Sequence, residues 1–160
     1  MVGIKLICVG TIKEKFHRDE INEFLKRLQR FAKVEIIEVD EEKIKDKASP
    51  KDEANVLIKE GQRLLSKIKD SEYVFLLDLH GKEISSEDFA SKMNSILNEG
   101  YSTIDFVIGG SFGLSDELRK RANFALKISP MTFTHQMTRI ITLEQIYRSF
   151  KINANETYHK

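Results

Sequence analysis

An α/β fold with a mostly parallel sheet and helices on both faces is predicted by three features of this chain. Short apolar runs alternate with stretches of helical period, which is the pattern of βαβ units. Runs such as YVFLLDL are apolar at nearly every position, so both faces of that strand must be covered. Cap-type residues stand directly before several of the helical stretches.

The strand candidates are residues 4–9, 34–39, 73–79, 103–108 and 125–128. Between the first two, Ile21, Phe24, Leu25, Leu28, Phe31 and Ala32 keep the spacing of one helical face. Residues 40–51 are highly charged and offer little to bury, so a mobile loop is expected there. Ser49-Pro50 starts a second helix, a cap residue followed by a proline whose fixed φ suits the first helical position. Its apolar stripe runs Ala54, Leu57, Ile58, Gly61, Leu64, Leu65, Ile68. A third helix follows Ser85, with Asp88 as capping partner, and should bury Phe89, Met93, Ile96 and Leu97. A fourth begins near Ser115, with Asp116 and Glu117 where carboxylates suit the helix dipole. The last covers residues 134–152.

A length of 160 residues bounds one domain, 1–160, with room for a proper core. The apolar runs fall well short of the ~20 residues that cross a bilayer. The opening MVGIKLICVG lacks the basic and long apolar regions of a signal peptide. Cys8 is the single cysteine and lies inside an apolar run, so a buried thiol in a reducing compartment is expected, and with it a cytoplasmic protein. Net charge is +1, but residues 119–160 hold eight Lys or Arg against two Glu, while residues 1–118 hold eighteen against twenty-three acids. That asymmetry hints at a polyanionic partner; a solvated face would produce the same pattern.

Three irregular segments should meet at one sheet edge: 77–81 (LDLHG), 109–113 (GGSFG) and 128–133 (ISPMTF). Ligands of open α/β sheets sit outside the carboxyl ends of the strands. Glycines after a strand let the backbone turn sharply and expose its amides, with a plain tight turn as the lesser alternative. The dinucleotide pattern G-x-G-x-x-G and the P-loop are both absent. The four histidines, at 17, 80, 135 and 159, lack metal-ligand spacing, and no nucleophile elbow G-x-S-x-G occurs, so no metal is expected. Catalysis would then need a cofactor that brings its own reactive group. His135 and Arg139 share a helical face at i and i+4, with Arg148 further along. The tail Tyr158-His159-Lys160 offers an aromatic ring and cations suited to a base and a phosphate, against the plain alternative of a frayed end.

The words VIGGSFGL, KISPMTFTHQMTRIITLEQIYRSFKI and YHK, with VGTIKEKF, EGQRLL and LDLHGKEISSE nearer the front, resemble the SPOUT-class large-subunit ribosomal RNA pseudouridine N3-methyltransferases (the RlmH family). Six words in the right order over the full length make the match specific. The resemblance implies a SPOUT methyltransferase fold with a C-terminal trefoil knot and no separate RNA-binding domain. It implies a homodimer paired through the final helices, with S-adenosyl-L-methionine as methyl donor. The acceptor would be N3 of a pseudouridine in 23S ribosomal RNA, on the assembled 70S ribosome. Cofactor binding carries over to Leu77, Gly81, Gly109, Gly113, Ile128, Ser129, Pro130, Met131, Thr132 and Phe133, with adenine in a slot of Leu77, Ile128, Met131 and Phe133. Gly81 and Gly113 would permit close approach of the chain. Of the catalytic candidates, His159 or His135 would take the N3 proton, and Arg139 or Arg148 would stabilise the uracil oxyanion or hold a phosphate. Tyr158 would stack on the target ring, with the tail reaching the partner subunit's pocket. Thr134 stands where relatives can carry proline, which predicts a looser start to the last helix. The competing readings are a non-catalytic ribosome-binding or assembly module of the same fold, and an unrelated nucleotide-using α/β enzyme, which the missing fingerprints disfavour.

Overall fold

A computed structural model describes residues 1–160. Its strands are β1 (Val2–Val9), β2 (Ala32–Val39), β3 (Tyr73–Lys82), β4 (Thr103–Ile108) and β5 (Phe124–Leu126). They form one parallel sheet in the order β2-β1-β4-β3-β5. The helices are α1 (Lys15–Leu28), α2 (Pro50–Leu65), α3 (Ser86–Asn98), α4 (Asp116–Arg121) and α5 (His135–Asn153).

Side chains alternate across β1, and the alternation builds two cores. Ile4, Leu6 and Cys8 pack with residues of α1, α3 and α5, while Ile7 and Val9 face α2 and α4. The central strands are covered on both sides, as their continuous apolar character requires. No helix is long and apolar enough to cross a membrane.

Four of the five helices start on a side-chain cap: Ser49, Ser85, Ser115 and Thr134 each accept an amide from the first turn. Ser49 and Asp52 complete a reciprocal capping box. Thr134 corrects one expectation: it holds the Met137 amide at 3.2 Å, so the last helix starts on a firm cap rather than a loose one.

Other expectations also shift. The apolar period of α1 runs on to Phe31 and Ala32, yet the helix stops at Leu28. Ala32 instead opens β2 against Val2, and Phe31 stacks on Phe150 of α5, with ring centroids 5.4 Å apart. In α2 the buried face is Val56, Glu60, Gly61 and Leu64, while Ala54 and Ile58 are exposed and Ile68 lies beyond the helix. Gly61, common to the expected stripe and the observed face, packs directly against Ser115 with no space for a Cβ. The charged segment after β2 is tied down at Glu42, whose carboxylate is held by Arg63 and Lys59.

β5 ends at Leu126, and the chain turns back over the ends of β3 and β4. It enters α5 near the end of β1, where Arg139 reaches the carbonyls of Val9 and Gly10.

Candidate cofactor site

Three loops at the carboxyl ends of β3, β4 and β5, together with the first turn of α5, enclose a cavity of about 510 Å³. Its apolar floor includes Leu77, Ile108, Leu126 and Ile128. Phe112, Met131 and Phe133 also line it and are exposed, forming a lip. The glycine turn is shaped by close approach. A Cβ on Gly109 would sit 2.7 Å from the Gly113 carbonyl oxygen, and Gly113 itself has φ +105°, where side chains are strained. The Gly113 amide donates to the Gly110 carbonyl at 3.1 Å and closes the turn. In the third loop, the Met131 amide donates to Ser129 Oγ at 3.0 Å.

Of the expected cofactor residues, Leu77, Gly109, Gly113, Ile128, Ser129, Met131, Thr132 and Phe133 line the cavity. Gly81 and Pro130 do not. Gly81 does permit a close approach, but of β5: its Cβ would meet the Ala125 carbonyl oxygen at 2.6 Å. Two residues that the sequence reading passed over stand in the wall. Asp78 is buried and accepts the His80 amide at 3.0 Å and Arg119 Nε at 3.1 Å. Burial alone would raise its carboxyl, but the Arg119 guanidinium and the His80 amide outweigh that and hold it below the usual carboxylate range. Arg119 also donates to the Leu114 carbonyl at 3.3 Å, bridging the end of β3 to the glycine loop. The one legible signal was a lone acid ending an otherwise apolar strand.

The catalytic candidates divide into three places. His135 lines the cavity. Arg139 does not; it is 3% exposed and is bound to Glu38 and to the end of β1. Arg148, Tyr158 and His159 form a separate cluster at the far half of α5. Arg148 Nη1 donates to His159 Nδ1 at 3.1 Å, which leaves the proton on Nε2, 2.6 Å from Glu87 Oε1. Tyr158 donates to Glu144 at 3.1 Å beneath the Arg148 guanidinium, 4.7 Å from the ring centroid. Burial and the Glu144 carboxylate push the Tyr158 phenol up. The tail is thus docked, not frayed. Cys8 is buried and its thiol is pushed up to about 12 by burial, which leaves no nucleophile there.

The basic stretch 119–160 is less free than its charge balance implied. Arg119, Lys127, Arg139, Arg148 and Lys151 each pair with a carboxylate. Arg121 is spent on the carbonyls of Lys69 and Glu72.

Comparison with known proteins places this geometry. A protein of *Clostridium acetobutylicum* named ribosomal RNA large subunit methyltransferase H is 50% identical over 159 residues, covering 99% of this chain and all of its own. Proteins of the same name from *Lactobacillus delbrueckii* subsp. *bulgaricus* and *Oenococcus oeni* are 49% and 48% identical, over 99% and 100% of this chain and the whole of theirs. The solved structure of a probable methylase family protein from *Haemophilus influenzae* Rd KW20 superposes with a TM-score of 0.55 at 13% identity, covering 98% of this chain and 70% of that one, and shows the same fold. Residues 2–159 match the family model described as predicted SPOUT methyltransferase. The chain belongs to the SPOUT methyltransferase family.

Proposed function

We propose that this chain methylates N3 of a pseudouridine in large-subunit ribosomal RNA, using S-adenosyl-L-methionine, as a cytoplasmic homodimer acting on the assembled ribosome. The observation that carries this reading is the cavity built from glycine-shaped loops at the strand ends. Its volume of about 510 Å³ lies within the usual range for small-ligand sites. The full-length relatives named for ribosomal RNA methylation support the acceptor.

The residues present fit the cofactor. Leu77, Ile128, Met131 and Phe133 offer a flat apolar slot for adenine, and the irregular backbone of 128–133 offers donors and acceptors that a strand would spend on its ladder. The bound cofactor supplies an electrophilic sulfonium methyl group. Arg119, fixed by Asp78, keeps one cation in the cavity wall.

The N3 proton must leave as the methyl arrives, so a base has to stand beside the acceptor. In His159, Nδ1 is the acceptor nitrogen and Arg148 lies against it. Transfer of Arg148 onto a uracil oxygen would free Nδ1 for the proton and stabilise the developing oxyanion in one movement. Arg148 lies thirteen residues after His135, about 20 Å along the helix at 1.5 Å per residue. That separation supports a second copy of the chain bringing its tail to the cavity, and hence the homodimer.

Incubation with labelled S-adenosylmethionine and 70S ribosomes lacking the modification tests the proposal. Label in a pseudouridine of the large-subunit RNA is expected. Cofactor binding by a correctly formed dimer without any transfer overturns it, in favour of another acceptor or a binding module.

A further inference from the structure

Glu60 stands on the buried face of α2 at 4% exposure, a position where an apolar residue is the norm. Its Oε2 accepts the Glu42 amide at 3.0 Å, whereas Oε1 is buried with no hydrogen-bond partner. That free oxygen is pressed against the glycine loop: a Cβ on Gly110 would lie 2.6 Å from Oε1 and 3.3 Å from Val9 Cγ1. Gly110 lines the cavity and Glu60 does not, so the carboxyl touches the turn without itself bordering the ligand space. The next residue repeats the approach, since Gly61 packs without space for a Cβ against Ser115, the cap of α4. One turn of α2 therefore braces both ends of the loop between β4 and α4.

Packing alone does not explain the choice of glutamate. A buried carboxyl with an unserved oxygen is costly, and an apolar side chain of similar size would fill the space at less cost. Burial pushes the group up towards its neutral form, Glu41 adds to this, and the Glu42 amide and Arg63 oppose it. A polar group held at such a cost, touching a binding loop, is a mark of function rather than of stability.

We propose that Glu60 is a positioning residue of the cofactor site, holding the 109–113 turn in its binding shape and tying it to the charged loop at Glu42. For the identity of the ligand this rests on the reading above. Glu60 touches no reacting atom; it acts through Gly110 and the turn.

Six proteins and three readouts test it: wild type, Glu60→Ala, Glu60→Gln, Gly110→Ala, the Glu60→Ala/Gly110→Ala double variant and Gln62→Ala, each measured for S-adenosylmethionine affinity by calorimetry, for ligand-free melting and for methyl transfer. Glu60→Ala should weaken binding by about tenfold or more, while kcat at saturating cofactor changes by less than about threefold. Glu60→Gln keeps the size and an acceptor for the Glu42 amide, and should restore most of the affinity. Gln62→Ala, exposed on the same helix, should change nothing. Gly110→Ala drives a methyl group into Oε1 and should weaken binding too. In the double variant the space left by Glu60 takes that methyl, so the two losses must not add.

Wild-type affinity in folded Glu60→Ala, or additive effects of the two substitutions, overturns the proposal. If Glu60→Ala does not fold, Gly110→Ala carries the test alone, and wild-type affinity there overturns it. Wild-type protein that binds no S-adenosylmethionine overturns the cofactor reading instead. The ligand-free melting cycle then decides Glu60: coupling supports the held turn, and additivity rejects it.

Discussion

Arg139 and Glu38, 101 residues apart in sequence, form a 2.6 Å ion pair that fastens the start of α5 to the end of β2. The arginine side chain is 4% exposed and Glu38 is 34% exposed, so the pair lies at the rim of the core. The same guanidinium donates to the Gly10 carbonyl at 2.8 Å and to that of Val9 at 3.3 Å. Arg139→Ala leaves those acceptors unserved. Losing a rim ion pair together with two hydrogen bonds to the end of β1 costs on the order of 2 kcal/mol, which for a chain of this size lowers the melting temperature by roughly 4–8 °C. Arg139→Lys should recover only part, because an ammonium cannot match the planar fork. Melting followed by circular dichroism measures both, and an alanine variant as stable as wild type would remove the anchoring role.

Asp78 and Arg119 make a pH prediction. The folded-state carboxyl is held below its ordinary value, so the ionised form contributes stability above the unfolded value of about 3.9. That contribution disappears as pH falls through the lower folded value. The stability difference between wild type and Asp78→Asn should therefore be largest near neutrality and shrink in acid. Urea melts at several pH values follow it, and a difference that stays constant down to the acid limit would refute the assignment. Cofactor affinity should also fall in Asp78→Asn, since Arg119 loses its fixed orientation in the cavity wall.

Local signals made most of the elements legible. Ser49-Pro50, Ser85 and Ser115 announce helix starts because a cap acts within one turn, and the strand runs are apolar because both faces are covered. What escaped was set by partners distant in sequence. Asp78 finds Arg119 41 residues away, and Glu60 meets Gly110 across the fold. Gly81 shows the ambiguity of glycine: the residue makes room for a neighbouring strand, and nothing local separates that from room for a ligand. His135 and Arg139 share a helical face as their spacing requires, yet that face straddles the border between cavity and core.

Asp105 lies on the α2 and α4 side of central strand β4, fully buried beside the Glu72 carboxylate. Burial, followed by the hydrogen bond to and repulsion from the Glu72 carboxylate, pushes it well above the usual carboxylate range, with Lys5 opposing. The folded protein thus holds a proton there that the unfolded chain releases near pH 4. Stability from the neutral form is complete below the unfolded value and is lost progressively as pH rises towards the folded one. Asp105→Asn is neutral at every pH, so it should melt several degrees above wild type at pH 8, with the gap narrowing towards pH 4. Calorimetry at the two pH values settles it; an asparagine variant that is less stable at pH 8 would show that the carboxylate is ionised and useful in the fold.

The tail offers the sharpest functional prediction. Tyr158 and His159 are held by Glu144, Arg148 and Glu87, away from the cavity lined by His135. Tyr158→Ala with His159→Ala should abolish methyl transfer while leaving cofactor affinity within about twofold. The truncations remove the Tyr158 contacts with Tyr147, Glu144 and Arg148 and the His159–Glu87 contact, none of them in the buried core, so melting should fall by no more than a few degrees. If the tail of one subunit serves the cavity of the other, two inactive proteins can rescue each other. Mixing the tail variant with one whose cavity is blocked, such as Gly109→Val, forms heterodimers in which one cavity is intact and faces an intact tail. Activity should reappear in the mixture in proportion to the heterodimer fraction. A mixture as inactive as its parents would mean that each subunit must supply both groups itself, which the separation along α5 argues against.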